Sequence, residues 1–288
     1  MHALSLRIGP VSYRLGSAWP APIKALRNLY AGYPPAEGGI ATVTARIEPP
    51  HLWRKWLRPQ VMIHGDHSLP DAAPMALRHA LLAAEMAMNI QVALGERRYL
   101  LIHAAAVERG GKALILPGDS GSGKSTLAAM LAERGWRLLA DEFVIIDMAS
   151  DAVLPFPRAI SLKNSAIAEM ERRISDADRF GPLLSATPKG ELRHLRPNDE
   201  AIRRMDEPAS PALILFPAFG FHPASEGVSR SELFARLTGG STNYIALGQA
   251  SFGTLLRLTE AVPAASFAFP DGDTGVAIVE QFCAEVGF

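Results

Sequence analysis

The sequence predicts a mixed α/β protein: an α/β core preceded by a small N-terminal α+β region. Three observations predict it. Short runs in which apolar residues alternate with small or polar ones recur along the chain, which is the period of a strand. Helical spacing of apolar residues appears between them, most clearly over 71–94 and 125–134. A greasy run, Lys112 to Leu116, leads directly into PGDSGSGKST, and that segment leads into a helix-forming stretch. The 288 residues, 48% hydrophobic and 20% charged, suffice for a sizeable core in one large domain or two smaller ones.

Leu4, Leu6 and Ile8, then Val11, Tyr13 and Leu15, predict two strands around the Gly9–Pro10 turn. Residues 17–72 are rich in proline and glycine, with strands expected near Ile40 to Ile47 and Gln60 to His64. Within them HLWRKWLR, His51 to Arg58, interleaves two tryptophans with three basic residues. Its cluster is short and isolated, so a half-buried amphipathic turn is expected rather than a nucleic-acid or membrane patch. From Asp71 to Leu94, Leu77, Leu81, Leu82, Ala84, Met88 and Val92 recur at helical spacing. Asp71 is placed to cap this helix, Pro74 fits its first turn, and Gly95 is placed to end it. Glu85, amid the apolar face, is expected to be a buried, paired carboxylate. Strands Tyr99–Glu108 and Lys112–Leu116 then flank Arg109-Gly110-Gly111, which predicts a hairpin with a three-residue loop. After a helix from about Ser125 to Arg134, closed by Gly135, come strands Trp136–Ala140 and Phe143–Asp147. Leu213–Phe216 and Ser266–Phe269 are read as strands and Phe252–Thr259 as a helix, all serving as scaffold. The boundary is expected between 72 and 98, with the long helix as the joint, residues 1–72 forming the small N-terminal region and 73–288 the main domain.

Charge and composition exclude several classes. Twenty-nine basic residues balance twenty-nine acidic ones, so no overall field favours nucleic acid or an anionic membrane surface. Only six of the 29 bases are lysine, which makes each lysine worth tracing. The single cysteine, Cys283, allows no internal disulfide and no cysteine-based zinc site, and is expected on a buried helix face. The opening MHALSLRIGP lacks a charged region followed by an apolar run, so no signal peptide is expected. The most apolar long stretch, Met75 to Leu94, is interrupted by Arg78, His79, Glu85, Asn89 and Gln91, too many polar groups to span a bilayer. A cytoplasmic protein that binds neither membrane nor nucleic acid is the resulting expectation.

Gly118, four residues, then Gly123-Lys124-Ser125 form the phosphate-loop pattern. Glycines allow successive backbone N–H groups to turn inward around an anion, and the helix start adds its positive dipole end. Lys124 supplies a point charge between terminal phosphates and Ser125 a hydroxyl for magnesium. The nucleotide-binding set is therefore Gly118, Asp119, Ser120, Gly121, Ser122, Gly123, Lys124, Ser125 and Thr126. A three-residue hairpin loop would pair 108 with 112 and 103 with 117, which puts His103 at the mouth of the phosphate loop. The helix runs away from the phosphates and Gly135 turns the chain back, so strand Trp136–Ala140 is expected to deliver Asp141 and Glu142 to the same sheet edge. A carboxylate there can hold magnesium, directly or through water, or accept a proton from an incoming hydroxyl. Taken alone, His103 also fits an ordinary strand histidine, and Asp141 and Glu142 ordinary turn residues.

With these residues quoted, the segment His103 to Asp147 resembles the catalytic core of bacterial HPr kinase/phosphorylase. In that family a histidine-bearing strand precedes a GxSGxGKS loop, a helix ending in arginine-glycine follows, and a strand closes on alanine-aspartate-aspartate. Ser120, Gly121, Gly123, Lys124 and Ser125 match the loop, Arg134 and Gly135 the helix end, and Ala140 and Asp141 the acidic motif. The chain is more specifically similar to the HPr kinase-related kinase A group. The matching features are Tyr99-Leu100, Ile102-His103-Ala104-Ala105, Gly135 to Leu139, Ser161 to Asn164, Lys189-Gly190, His194 to Pro197, and Asn243-Tyr244 with Leu247-Gly248. This similarity covers roughly residues 70 to 288. Members of the group look like kinases associated with peptide-modification gene sets, their substrates generally unassigned.

The resemblance implies a fold related to phosphoenolpyruvate carboxykinase, with a P-loop at a mixed, partly antiparallel sheet, ATP and Mg2+ as cofactors, and His103 with Asp141 as the proton-handling pair. It also implies Ser125 with a carboxylate, Asp141 or Glu142, on the metal. The partners it implies are a nucleotide and a peptide, protein or small hydroxyl-bearing acceptor. Two departures weigh on this: Glu142 replaces the second aspartate, and Thr126 replaces the glutamate after the loop serine. The segment that reads HPr in true HPr kinases is not recognisable, so kinase chemistry carries over better than the protein substrate, and phosphorolysis carries over least. HPr kinases assemble as hexamers; the N-terminal part differs here, so a homo-oligomer is left open.

Two further segments bear on the site. Lys189 to Glu207 mixes five basic and five acidic residues with His194. It reads either as a solvated charged loop or as a mobile loop closing over phosphates, with Lys189, Arg193, His194 and Arg196 as its candidates. Lys163-Asn164 is placed to face donor or acceptor phosphate. A nucleotide switch or transporter-type ATPase, and a non-catalytic nucleotide-binding scaffold, are the alternatives to a kinase. The chain has neither an asparagine-lysine-x-aspartate base-reading motif nor an LSGGQ-like signature.

Overall fold

The structure is a computed structural model and describes residues 1–36, 41–68 and 73–288. In chain order the first elements are β1 (His2–Ile8), β2 (Val11–Ser17), α1 (Pro20–Leu29), β3 (Val43–Glu48), β4 (Gln60–Gly65), β5 (Met75–Ala76) and α2 (Ala80–Gly95). Next come β6 (Leu100–Arg109), β7 (Lys112–Pro117), α3 (Lys124–Ala132), β8 (Arg137–Ala140), β9 (Phe143–Ile146) and β10 (Val153–Leu154). They are followed by β11 (Ile160–Lys163), α4 (Ser165–Arg173), β12 (Leu184–Thr187), β13 (Gly190–Leu195), α5 (Asp199–Arg203) and β14 (Ser210–Phe219). The last are β15 (Ala224–Gly227), α6 (Arg230–Gly240), α7 (Tyr244–Leu247), α8 (Gln249–Ala261), β16 (Ala264–Phe269) and α9 (Gly272–Glu285). Strands pair both ways, parallel and antiparallel, so the mixed α/β class with a mixed sheet is what the chain adopts. Among the described residues no helix is long and apolar enough to cross a membrane.

The chain divides into two compact units. The first takes in residues 1–96, 161–168 and 176–196. The break after Glu96 falls inside the expected 72–98 window but at the far end of the helix, not at 72: α2 belongs wholly to the first unit, as do two later segments. In this unit β1 to β5 form one five-stranded sheet in sequence order. The β1–β2 hairpin turns at Gly9, as its alternation predicts, and β2 and β3 are parallel, joined through α1. Helix α1 was not expected from this proline-rich stretch. Pro20 and Pro22 fall in its first turn, where they need no N–H donor, and Ile23, Leu26 and Leu29 bury one face. Helix α2 is shorter than the expected 71–94: Met75–Ala76 pair with Val61–Gln60 instead of coiling, and Asp71 lies outside the described residues, as does Ile40. Glu85 is buried and accepts a hydrogen bond from Tyr30 Oη at 3.0 Å, as expected of a carboxylate on an apolar face.

A second sheet of this unit, in the order β11-β13-β12, overturns the open-loop reading of 189 onward. Lys189 sits at the exposed turn of a β-hairpin, and Arg193 and His194 lie on β13. Arg193 Nε donates to Gly181 O at 2.7 Å and stacks on Phe180; Arg196 lies 4.0 Å from Asp176. Asn164 adopts φ 50°, tolerable for asparagine, and its Oδ1 accepts from Glu191 N at 3.2 Å. A Cβ on Gly190 would lie 2.3 Å from that oxygen. Lys163 is the last residue of β11, half-buried.

The second unit, residues 97–160, 169–175 and 197–288, carries the large sheet in the order β10-β9-β6-β7-β14-β16-β15, with β8 also paired to β6. Apolar side chains of β6, β7, β14 and β16 form its core, and α3 and α9 pack against it. Cys283 is fully buried on α9, where burial, then the Glu280 charge, pushes its thiol up to about 12. The β6–β7 turn corrects the expected loop. Gly110 and Gly111, at φ 62° and 80°, form a two-residue turn of the kind that suits strand twist, so Arg109 pairs with Lys112 and Ala104 with Pro117.

Candidate active site

Strand β7 ends at Pro117, and the chain then wraps through Gly118 to Gly123 before α3 begins. Gly121 and Gly123 have φ 95° and 93°. No side chain caps α3, and its first ladder bond runs from Leu127 N to Gly123 O at 2.9 Å. Amide hydrogens ahead of Leu127 therefore point out of the helix end toward the loop, where the dipole is positive. Lys124 is 6% exposed and its Nζ donates back to Asp119 O at 3.2 Å, so the ammonium lies across the loop. Ser122 N bonds Asp119 O at 3.2 Å, and Phe219 N, at the end of β14, bonds Ser122 O at 3.2 Å. The Ser122 Oγ is buried and makes no hydrogen bond among the described residues. Inward amides, an ammonium and an orphaned hydroxyl in one loop are the donor set that phosphate oxygens require. The ends of β14 and β16, strands expected only as scaffold, form the loop's floor.

That floor fixes Gly123. A Cβ there would stand 2.9 Å from Phe269 Cζ and 3.0 Å from Phe219 Cβ, whereas one at Gly121 would meet nothing within 4 Å. Both positions are left-handed, which costs an alanine about 1–2 kcal/mol. Gly123→Ala is therefore expected to lower the melting temperature and nucleotide affinity well beyond Gly121→Ala, which has only the conformational cost. Thermal unfolding and calorimetric titration with ATP compare the two.

The acidic pair reaches the same sheet end by register. Strand β8 is antiparallel to β6, which is antiparallel to β7, so β8 runs in the β7 direction. Ala106 pairs with Ala140 and His103 with Phe143, so Asp141 and Glu142 lie across from Ala105 and Ala104, themselves paired with Leu116 and Pro117. Two ladders separate the acidic pair from the start of the phosphate loop, about 10 Å of backbone. Asp141 is 1% exposed. Glu142 takes the left-handed region at φ 77°, a strain of about 1 kcal/mol or more for a non-glycine residue. That turn separates β8 from β9 and aims the Glu142 carbonyl at β6, where Ala104 N (3.3 Å) and His103 Nδ1 (3.0 Å) reach it. A carbonyl only accepts, so Nδ1 carries the proton, and in the neutral ring Nε2 is the basic nitrogen. The Glu142 carboxylate stands 3.7 Å from Nδ1. With the corrected register, His103 is one residue beyond the Ala104–Pro117 pair, level with Gly118, and edge-on to Phe143.

The large unit therefore gathers the loop, His103, Asp141 and Glu142 at one end of its sheet. Lys163, Asn164, Lys189, Arg193, His194 and Arg196 belong to the other unit. Sequence reading passed over Arg158. Phe156 bridges Ala140 in the parallel sense, and Phe156 N bonds Leu139 O, which sets Pro157–Arg158 alongside Asp141–Glu142; Arg158 is buried. Only long-range pairing reveals it, because PFPR carries no motif. Among the described residues no group of three or more histidine, cysteine, aspartate or glutamate side chains is arranged to hold a metal. A hydroxyl with one or two carboxylates is, by contrast, the sparse protein contribution that magnesium takes when phosphates and water complete its shell. Ser125, at the start of α3, with Asp141 and Glu142 fits that description.

No family model matches the chain, and no curated protein matches it. Among solved structures the chain is similar to the HPr(Ser) kinase/phosphatase from Coxiella burnetii, at 12% identity and a TM-score of 0.28, over 64% of this chain and 88% of that one.

Proposed function

We propose that the chain is an ATP-dependent kinase with a core of the HPr kinase and phosphoenolpyruvate carboxykinase type, transferring the γ-phosphoryl group to a serine-type hydroxyl of a peptide, protein or small amino-acid-like acceptor. The observation that carries this reading is the register that brings a buried carboxylate, Asp141, to the sheet end where the loop of Gly118 to Thr126 opens. The loop amides and Lys124 hold the phosphates of ATP and neutralise charge that builds on the transferring group. Asp141 accepts the proton of the attacking hydroxyl as the new phosphorus–oxygen bond forms and the bond to the departing nucleotide diphosphate breaks. His103, tied by Nδ1 to the Glu142 carbonyl, orients the acidic turn. Ser125 with Asp141 or Glu142 would hold Mg2+. The ion, when bound, neutralises and aligns the terminal phosphates.

The test is ATP turnover with and without candidate hydroxyl acceptors, beside calorimetric titration of the full chain with ATP and Mg2+. Acceptor-dependent turnover is expected. Hydrolysis that ignores the acceptor would favour a nucleotide switch, and binding without turnover a scaffold. Lys124→Ala is expected to weaken ATP binding about ten- to a hundredfold, the worth of a hydrogen bond to a charged group, and to reduce transfer with it. Unchanged ATP affinity in that variant would remove the loop from the site.

A further inference from the structure

The turn expected to be half-buried is instead the most exposed apolar feature of the first unit. Leu52–Lys55 form a short 3-10 helix with no buried residue. Leu52 is 82% exposed, Trp53 49%, Trp56 73% and Leu57 64%. The helix is held from behind: Arg54 N bonds His51 O, Leu57 N bonds Trp53 O, and Trp19 Nε1 donates to Lys55 O at 3.2 Å. Arg54 lies 4.2 Å from the centre of the Trp53 ring, and Lys55 lies 5.6 Å from that of Trp56. Arg58 follows, and no acid occurs between Glu48 and Asp66. Those flanking acids are engaged, Glu48 by Arg46 and Asp66 by Thr44 N.

We propose that this tip is a docking surface for an anionic lipid interface, to which the protein binds peripherally. Side chains this exposed form a knob, not a groove, so the surface inserts into something soft rather than receiving a chain. Tryptophan and leucine with lysine and arginine interleaved is the chemistry of the bilayer boundary: rings and aliphatic groups enter the headgroup region while cations meet lipid phosphates. A nucleic acid explains the rings and cations but leaves Leu52 and Leu57 without a role, because they have no face on which a base can stack. A second copy seated on the same patch would bring like charges together. The reading is independent of the nucleotide chemistry and adds no transmembrane segment.

The full chain is sedimented with phosphatidylcholine vesicles carrying or lacking phosphatidylglycerol, at low and high salt, with tryptophan emission followed in parallel. Trp136 is buried and Trp19 half-buried, so a blue shift that disappears when Trp53 and Trp56 are replaced reports the exposed rings. Binding to the anionic vesicles is expected, weakened by salt, with a blue shift. Trp53→Ser with Trp56→Ser is expected to weaken it about tenfold or more, and Arg54→Gln with Lys55→Gln about fivefold per charge removed. Exposed positions leave the melting temperature unchanged, which separates lost docking from lost folding. No binding to anionic vesicles, equal binding to both kinds, or full binding by the tryptophan variant overturns the proposal; the first outcome would assign the knob to a protein partner.

Discussion

Asp141→Asn is expected to cut phosphoryl transfer about a thousandfold, the middle of the range for losing a positioned general base, while ATP affinity stays within about threefold. The side chain is 1% exposed, and asparagine has its shape, so packing between β8 and β9 survives. What changes is the charge and the ability to accept a proton from an attacking hydroxyl. The groups assigned to the nucleotide are main-chain amides of Gly118 to Thr126 and the Lys124 ammonium, two ladders away across β6, so the ground-state complex persists. The measurement is single-turnover transfer from γ-labelled ATP beside calorimetric titration of parent and variant. Equal transfer by both proteins would remove Asp141 as the base. A parallel fall in affinity and rate would make it a metal or nucleotide ligand first.

What the sequence revealed and what it hid divide along the range of the contacts involved. The strand, glycine-rich turn and helix around Lys124 were legible because they lie in one continuous run, each residue type explained by its neighbours. The delivery of Asp141 to the same end followed from chain direction alone, since a helix and a turn reverse the path once. The hairpin register was read one residue off. Gly110 and Gly111 both take positive φ, and Arg109 is drawn into the ladder while its guanidinium makes a bidentate contact with Glu280, at 3.1 and 2.8 Å. That partner is 171 residues away. The start of α2 was misplaced for the same reason: Met75 and Ala76 are set by Val61 and Gln60, not by helical spacing. The charged segment after Lys189 looked open because its hydrogen-bond partners, Gly181 for Arg193 and Asn164 for Glu191, are brought in by folding. At Leu52 to Leu57 the error was of another kind. A short, isolated cluster of rings and cations was taken for a half-buried amphipathic turn, and the structure turns its apolar side chains out.

Arg137→Met is expected to cost about 3–5 kcal/mol of stability at neutral pH, because it strips the partner from a buried carboxylate. Arg137 and Glu108 are both 2% exposed, and Arg137 Nε donates to Glu108 Oε2 at 2.6 Å. Its Nη1 also donates to Arg204 O at 2.6 Å and Glu207 O at 2.9 Å, fastening the segment after α5 to β8. Burial alone would raise the Glu108 pKa. The Gly111 amide at 2.6 Å, the Arg137 hydrogen bond and charge, and the more distant Arg204 outweigh it, and the carboxyl sits below its ordinary value. A group depressed in this way stabilises the fold above its unfolded pKa, and that stability is lost as pH falls through the folded pKa. Removing Arg137 leaves burial with less opposition, so the variant's Glu108 binds a proton more readily and regains stability in acid where the parent loses it. The gap between the two proteins should therefore be widest at neutral pH and close as pH drops below the ordinary glutamate range. Adding Glu108→Gln to Arg137→Met should recover part of the loss, because no bare charge is then buried. Urea unfolding of the three proteins across that range decides it. A gap under about 1 kcal/mol at neutral pH, or one that ignores pH, would mean that the pair does not stabilise the strand from which Asp141 projects.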